Sequence, residues 1–122
     1  MRYFKSEEFH CKCGEPDCPA RGEINLVLGQ KLDTLRSMVG TPLVINSGLR
    51  CPEYNRKVGG VDSSAHEAGL AADIAASDSG IRFRILQALF NADLFKRVGI
   101  AKSFVHVDID GSKAPNVAWL YT

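Results

Sequence analysis

Two stretches of the chain hold the residue types that do chemistry. Ser64-Ala65-His66-Glu67-Ala68-Gly69-Leu70-Ala71-Ala72-Asp73 carries an imidazole and a carboxylate with six residues between them. Phe104-Val105-His106-Val107-Asp108 adds a second imidazole and a second carboxylate in alternating positions. Imidazole and carboxylate both ligate a borderline cation such as zinc. Three protein ligands with a fourth position left to water is the arrangement of a catalytic zinc. Asp73 is the sharpest signal, because it interrupts an otherwise apolar run of small residues, Leu70 to Ala75. A carboxylate buried there is costly unless it is paired or metal-bound. Taken residue by residue, the plain alternative stands beside this one: each histidine is held in place by ordinary hydrogen bonds and is no ligand.

The cysteines form a second group. Cys11, Cys13 and Cys18 fall in the turn-rich segment His10-Cys11-Lys12-Cys13-Gly14-Glu15-Pro16-Asp17-Cys18-Pro19, and Cys51 lies far downstream. The first three can give thiolates to one structural zinc, with Cys51 or His10 as the fourth ligand. One or two disulfides, or free thiols lining a loop, are the competing readings. The opening Met1-Arg2-Tyr3-Phe4-Lys5-Ser6-Glu7-Glu8 turns acidic where a signal peptide is apolar. The expectation is a protein that is cytoplasmic as synthesised, where stable disulfides are less expected.

The elements that must position these groups are read from periodicity. Ile24, Leu28, Leu32, Leu35 and Val39 form one stripe of an amphipathic helix, with Gly40 and Pro42 beyond its end. Leu43 to Asn46 reads as a short strand, and residues 52–60 as a helical turn opened by Pro52. Val61 to His66 is a polar loop, and Leu70 to Ala75 a buried strand. Ile81, Ile85, Leu89 and Ala92 mark a second helix, with Asp78 or Ser79 placed to cap it. Arg97 to Ala101 is a short strand. Phe104 to Asp110 alternates, setting His106, Asp108 and Asp110 on one face and Val105, Val107 and Ile109 on the other. Without a regular βαβ rhythm, the expected class is α+β, a small antiparallel sheet with helices packed on it. Residues 1–22 read as an arm and cysteine-rich loop of the same domain, and residues 23–122 as its core.

The composition sets the outer limits. The 122 residues suit one domain, and 45% hydrophobic with 24% charged residues is ordinary for a globular chain. A net charge of +1 speaks against a nucleic-acid or anionic-membrane partner, and thus against a zinc knuckle that grips DNA or RNA. No apolar run approaches the roughly 20 residues that cross a bilayer. A monomer is expected.

The pattern Ser-x-His-x-x-Gly-x-Ala-x-Asp at Ser64 to Asp73, followed by His-x-Asp at His106 and Asp108, resembles the zinc D-Ala-D-Ala carboxypeptidase family. That family takes in peptidoglycan peptidases of bacteria and phages, vancomycin-resistance dipeptidases and, as a relative, the hedgehog signalling domain. Asn46-Ser47-Gly48-Leu49-Arg50-Cys51 and Asn55-Arg56-Lys57-Val58-Gly59-Gly60 extend the likeness. Lys5-Ser6-Glu7-Glu8-Phe9 with Cys11-Lys12-Cys13-Gly14 resembles the opening of small phage and prophage members.

The resemblance implies that His66, Asp73 and His106 bind one catalytic zinc. It implies that Arg50 holds a substrate carboxylate or carbonyl, a task suited to a planar guanidinium, and that Ser64 hydrogen-bonds substrate or a ligand's surroundings. Many relatives carry a general base three residues before the last ligand, where this chain has Ser103. Others carry a histidine two residues before it, where this chain has Phe104. Asp108, on the face of His106, is then the expected acid–base group, with Glu67 second. The implied activity is hydrolysis of peptide-stem bonds in peptidoglycan, by a carboxypeptidase or a lysis endopeptidase. A non-catalytic zinc module on the same fold is the alternative.

Overall fold

In the computed structural model, which describes residues 1–122, the first apolar stripe becomes helix α1 (Leu26–Val39). It starts just after Ile24 because Asn25 caps it, its Oδ1 accepting the amides of Val27 (2.8 Å) and Leu28 (3.3 Å). Gly40, at φ 82°, ends it in the left-handed conformation. Helix α2 is short (Pro52–Lys57) and opens on Pro52. Helix α3 (Ser79–Asn91) is capped by Asp78, whose Oδ1 accepts the amides of Gly80 (2.6 Å) and Ile81 (3.3 Å).

Five strands form one mixed sheet: β1 (Ile45–Ser47), β2 (Ala71–Ala75), β3 (Arg97–Ile100), β4 (Phe104–Asp108) and β5 (Val117–Leu120). Their spatial order is β1-β2-β4-β3-β5. Neighbours are antiparallel except β3 and β5, which run parallel. The class is α+β as the sequence indicates, but the sheet is mostly rather than wholly antiparallel. Strand β5 is the addition, an edge strand whose short Val-Ala-Trp-Leu run the helix and strand periodicities upstream do not announce. Strand β4 stops at Asp108, two residues short of the expected end, because Asp108 Oδ1 accepts the Asp110 amide at 3.1 Å and turns the chain.

The two faces of the sheet divide the labour. Ala72, Ile74, Val98, Val105 and Val107 belong to the buried core, together with Leu28, Leu32 and Leu35 of α1 and Ile85, Ala88 and Leu89 of α3. The opposite face carries the polar residues, because strand side chains alternate. The N-terminal residues are part of the same body: Phe4 and Phe9 are buried, and a short 3-10 turn (Ser6–Phe9) brings the Phe9 carbonyl to the Leu49 amide at 2.7 Å. Gly48 permits this approach, since a Cβ there would sit 2.8 Å from the Phe9 Cα.

Candidate active site

Strand register builds the site. Ser47 pairs with Asp73, Asp73 with His106, His106 with Gly99, and Gly99 with Trp119, so one row crosses all five strands. The adjacent row pairs Ala71 with Asp108 and Asp108 with Arg97. His66 comes from the loop before β2 and completes the group. Its ring meets that of His106 edge-on, with centroids 5.2 Å apart. Asp73 Oδ1 lies 3.2 Å from His66 Nε2 and 2.8 Å from His106 Nδ1. All three side chains are buried, and their ligand atoms lie within 4.8 Å of one another.

The far nitrogen of each imidazole decides what the near one offers. His66 Nδ1 is 2.8 Å from the Gly48 carbonyl oxygen, which can only accept, so Nδ1 carries a proton. His106 Nε2 is 2.7 Å from the Asp108 carboxylate and likewise donates. In their neutral forms both rings therefore turn a lone pair toward Asp73 Oδ1, itself an acceptor. Three acceptors facing one another in a buried site need a positive occupant, either a proton or a cation. This donor set of two neutral imidazoles and a carboxylate, each imidazole backed by an acceptor, fits a zinc-type ion.

Protons show the same demand. Burial alone would raise the Asp73 pKa, yet the hydrogen bonds and charges of His106 and His66 hold it well below the usual carboxylate range. Burial pulls the His106 pKa down, but its hydrogen bonds to Asp108 and Asp73 and their charges outweigh that and raise it. Asp108 follows Asp73: desolvation opposes ionisation, while His106, the Asp110 amide and Arg97 favour it and lower its pKa.

Arg50 is held from three sides. Its Nε donates to Ser47 Oγ (3.0 Å), one terminal nitrogen to Asn55 Oδ1 (3.1 Å) and the other to Asp73 Oδ2 (3.0 Å). A guanidinium has five N–H groups, so one remains on each terminal nitrogen. Asn55 is in turn anchored through its amide to the Val61 carbonyl at 2.8 Å. Ser64 accepts the His66 amide on its hydroxyl at 3.2 Å and is buried at the cleft wall. Asp108 is only 2% exposed, and its second oxygen is occupied by Arg97 Nε (2.8 Å) as well as the Asp110 amide. Glu67 does not line the cleft, whereas Ser103 and Phe104 do.

The cleft over this row has a volume of about 730 Å³. One wall is aromatic and comes from β5 and the residue just beyond its end. Trp119 lies 5.4 Å from His106, ring to ring, and Tyr121 lies 5.0 Å from Phe104. Arg97 stacks on Trp119 at 4.9 Å. Gly99 makes room for these rings, since a Cβ there would come within 2.8 Å of Trp119 and 2.6 Å of Tyr121. Burial raises the Tyr121 pKa, so its phenol stays protonated at neutral pH. Trp119 and Tyr121 sit two residues apart, the same-face spacing of a strand, and that spacing was the signal available for them.

A family model described as peptidase M15 matches residues 2–110. The chain belongs to the peptidase M15 family. No curated protein matches it significantly. M15 includes zinc D-Ala-D-Ala carboxypeptidases, and membership implies a metallopeptidase. The M15 match ends at Asp110, so the aromatic strand lies outside it while His66, Asp73, His106 and Arg50 lie inside. A second group that can hold a metal ion is the cluster of Cys11, Cys13, Cys18 and Cys51. Its fourth member is Cys51, and His10 is not part of it.

Proposed function

We propose that the protein is a zinc-dependent peptidase of cell-wall peptides, with the peptide stem of peptidoglycan as its substrate class. The observation that supports this best is the pair of imidazoles whose outer nitrogens are fixed by Gly48 and Asp108, leaving both inner lone pairs converging on Asp73 beside Arg50. When bound to His66, Asp73 and His106, zinc supplies a Lewis acid that polarises the scissile carbonyl and brings the pKa of water toward about 7.

The chain's own residues do the rest. Arg50 presents its two remaining N–H groups to a substrate carboxylate or carbonyl oxygen, and Ser47, Asn55 and Asp73 keep its fork from swinging. Asp108 holds His106 in the tautomer with Nδ1 free, and Arg97 holds Asp108. With both oxygens engaged and its pKa lowered, Asp108 acts as a positioning residue rather than as the general base. Tyr121 brings a protonated phenol to the cleft, and Trp119 shields one side of His106 from water. No helix is long and apolar enough to cross a membrane. Synthesis in the cytoplasm and release onto the wall as a phage-type lysis enzyme fits this reading.

The test is digestion of purified peptidoglycan with mass analysis of the products. Free D-alanine marks carboxypeptidase action, and split muropeptides mark endopeptidase action. Both should vanish in the His66→Ala variant. A folded, zinc-loaded protein that releases neither product would return the chain to the reading of a non-catalytic module.

A further inference from the structure

The cysteines lie outside the cleft and take no part in the chemistry above, yet the fold gathers them. The knuckle from Cys11 to Ala20 is closed by the Cys11 amide on the Ala20 carbonyl at 2.9 Å and by Arg21 on the Glu15 carbonyl at 2.7 Å. Gly14 turns it at φ 80°. This brings three sulfurs to face Cys51, which lies 40 positions from Cys11. All four sulfurs fall within 4.8 Å of one another.

We propose that Cys11, Cys13, Cys18 and Cys51 form a tetrathiolate site for a structural zinc ion that fastens the N-terminal knuckle to the segment carrying Arg50.

Three observations carry it. The first is spacing. Zinc–sulfur bonds of about 2.3 Å put tetrahedral thiolates roughly 3.8 Å apart, and Cys11 Sγ and Cys51 Sγ are 3.8 Å apart. A disulfide needs about 2.05 Å, and all four cysteines are free thiols. The second is the environment of the sulfurs. The Cys51 amide donates to Cys11 Sγ and the Glu15 amide to Cys13 Sγ, each at 3.4 Å. At Cys11 and Cys13 these N–H donors favour the thiolate, the form that binds metal. The third is placement. The knuckle itself is short and largely exposed, with Cys11 its one buried residue. A loop with so little apolar surface needs another cross-link to keep one conformation.

The link reaches the active site. Residues 48–51 run between the knuckle and the cleft: the Gly48 carbonyl fixes His66, the Leu49 amide bonds Phe9, Arg50 bonds Asp73 and Cys51 joins the sulfur group. Metal at the cysteines would therefore stiffen the backbone that orients His66 and Arg50.

The experiment separates this site from the His–Asp–His group. Full-length His66→Ala/His106→Ala protein, purified under reducing conditions with zinc, should retain one zinc per chain by elemental analysis. Cobalt in its place should give the intense near-ultraviolet charge-transfer band of cobalt thiolate. Adding Cys13→Ser/Cys18→Ser should remove both. Should that variant not fold, thiol counting on the parent decides. Thiols that react with a disulfide reagent only after chelation support the site. No bound zinc together with four freely reacting thiols, or the mass loss of disulfide formation in the reduced preparation, would overturn it. Neither result depends on whether the protein hydrolyses peptide.

Discussion

Removing the Asp108 carboxylate should weaken zinc binding at the His–Asp–His group while leaving the ligands in place. Asp108 is 2% exposed and sits 2.7 Å from His106 Nε2, so the bond it makes is a buried, charge-assisted one. Such bonds contribute about 1.5–3 kcal/mol. At about 1.4 kcal/mol per decade, that corresponds to roughly 10–150-fold in affinity. The independent expectation for losing the carboxylate behind a ligating histidine is about 10–100-fold. Asp108→Ala should therefore lower zinc affinity by one to two decades, roughly. Asp108→Asn keeps an acceptor but loses the charge, so it should fall between Asp108→Ala and the unaltered protein. Zinc-buffered titration, followed by the nitrogen NMR signals of the imidazoles, reads this site without interference from the cysteines. A folded Asp108→Ala protein with unchanged zinc affinity and a kcat lowered about 10²–10⁴-fold would refute the reasoning and make Asp108 the general base.

Other consequences are equally open to measurement. Arg50→Ala should retain metal but lose at least about 10²-fold in kcat/KM, the scale for removing one donor from a developing oxyanion; a rise in KM alone would assign it to ground-state carboxylate binding, and unchanged kinetics would leave it a structural residue. Gly99→Ala drives a methyl group into Trp119 and Tyr121; the cost should be about 1–3 kcal/mol in denaturant unfolding, and an unaltered midpoint would show that the rings do not pack on β3. Zinc affinity should climb with pH up to the raised His106 pKa, by about tenfold per unit where one proton is displaced, and a flat profile across neutral pH would contradict that exchange. In the metal-free protein the same shift has the opposite sign for stability. The His106 contribution is complete below its unfolded value near about 6.5 and is lost as pH rises through the raised folded value; the Asp73 contribution is lost as pH falls through its lowered one.

Two of the candidate ligand residues were legible from the local pattern. Asp73 is a charge in an apolar strand, and His106 sits on the polar side of a strict alternation. Their convergence was not legible, because it depends on β2–β4 register, set by packing of Ile74, Val105 and Val107 against the helices. Alternation placed Asp108 beside His106 but could not say which of its oxygens would meet what. That answer lies with Arg97, which reaches Asp108 only because β3 pairs with β4 across a turn. The Gly48 carbonyl that fixes His66 is a backbone atom and leaves no mark in residue type. Strand β5 joins β3 in parallel, a contact that short-range periodicity does not encode.

Anomalous diffraction at the zinc edge from crystals of the zinc-loaded protein tests the central claim most directly. The tautomers fixed by Gly48 and Asp108 predict a peak in contact with His66 Nε2, Asp73 Oδ1 and His106 Nδ1, on the cleft side of β2 and β4. A peak confined to the cysteines, or one reached through the opposite imidazole nitrogens, would contradict the account.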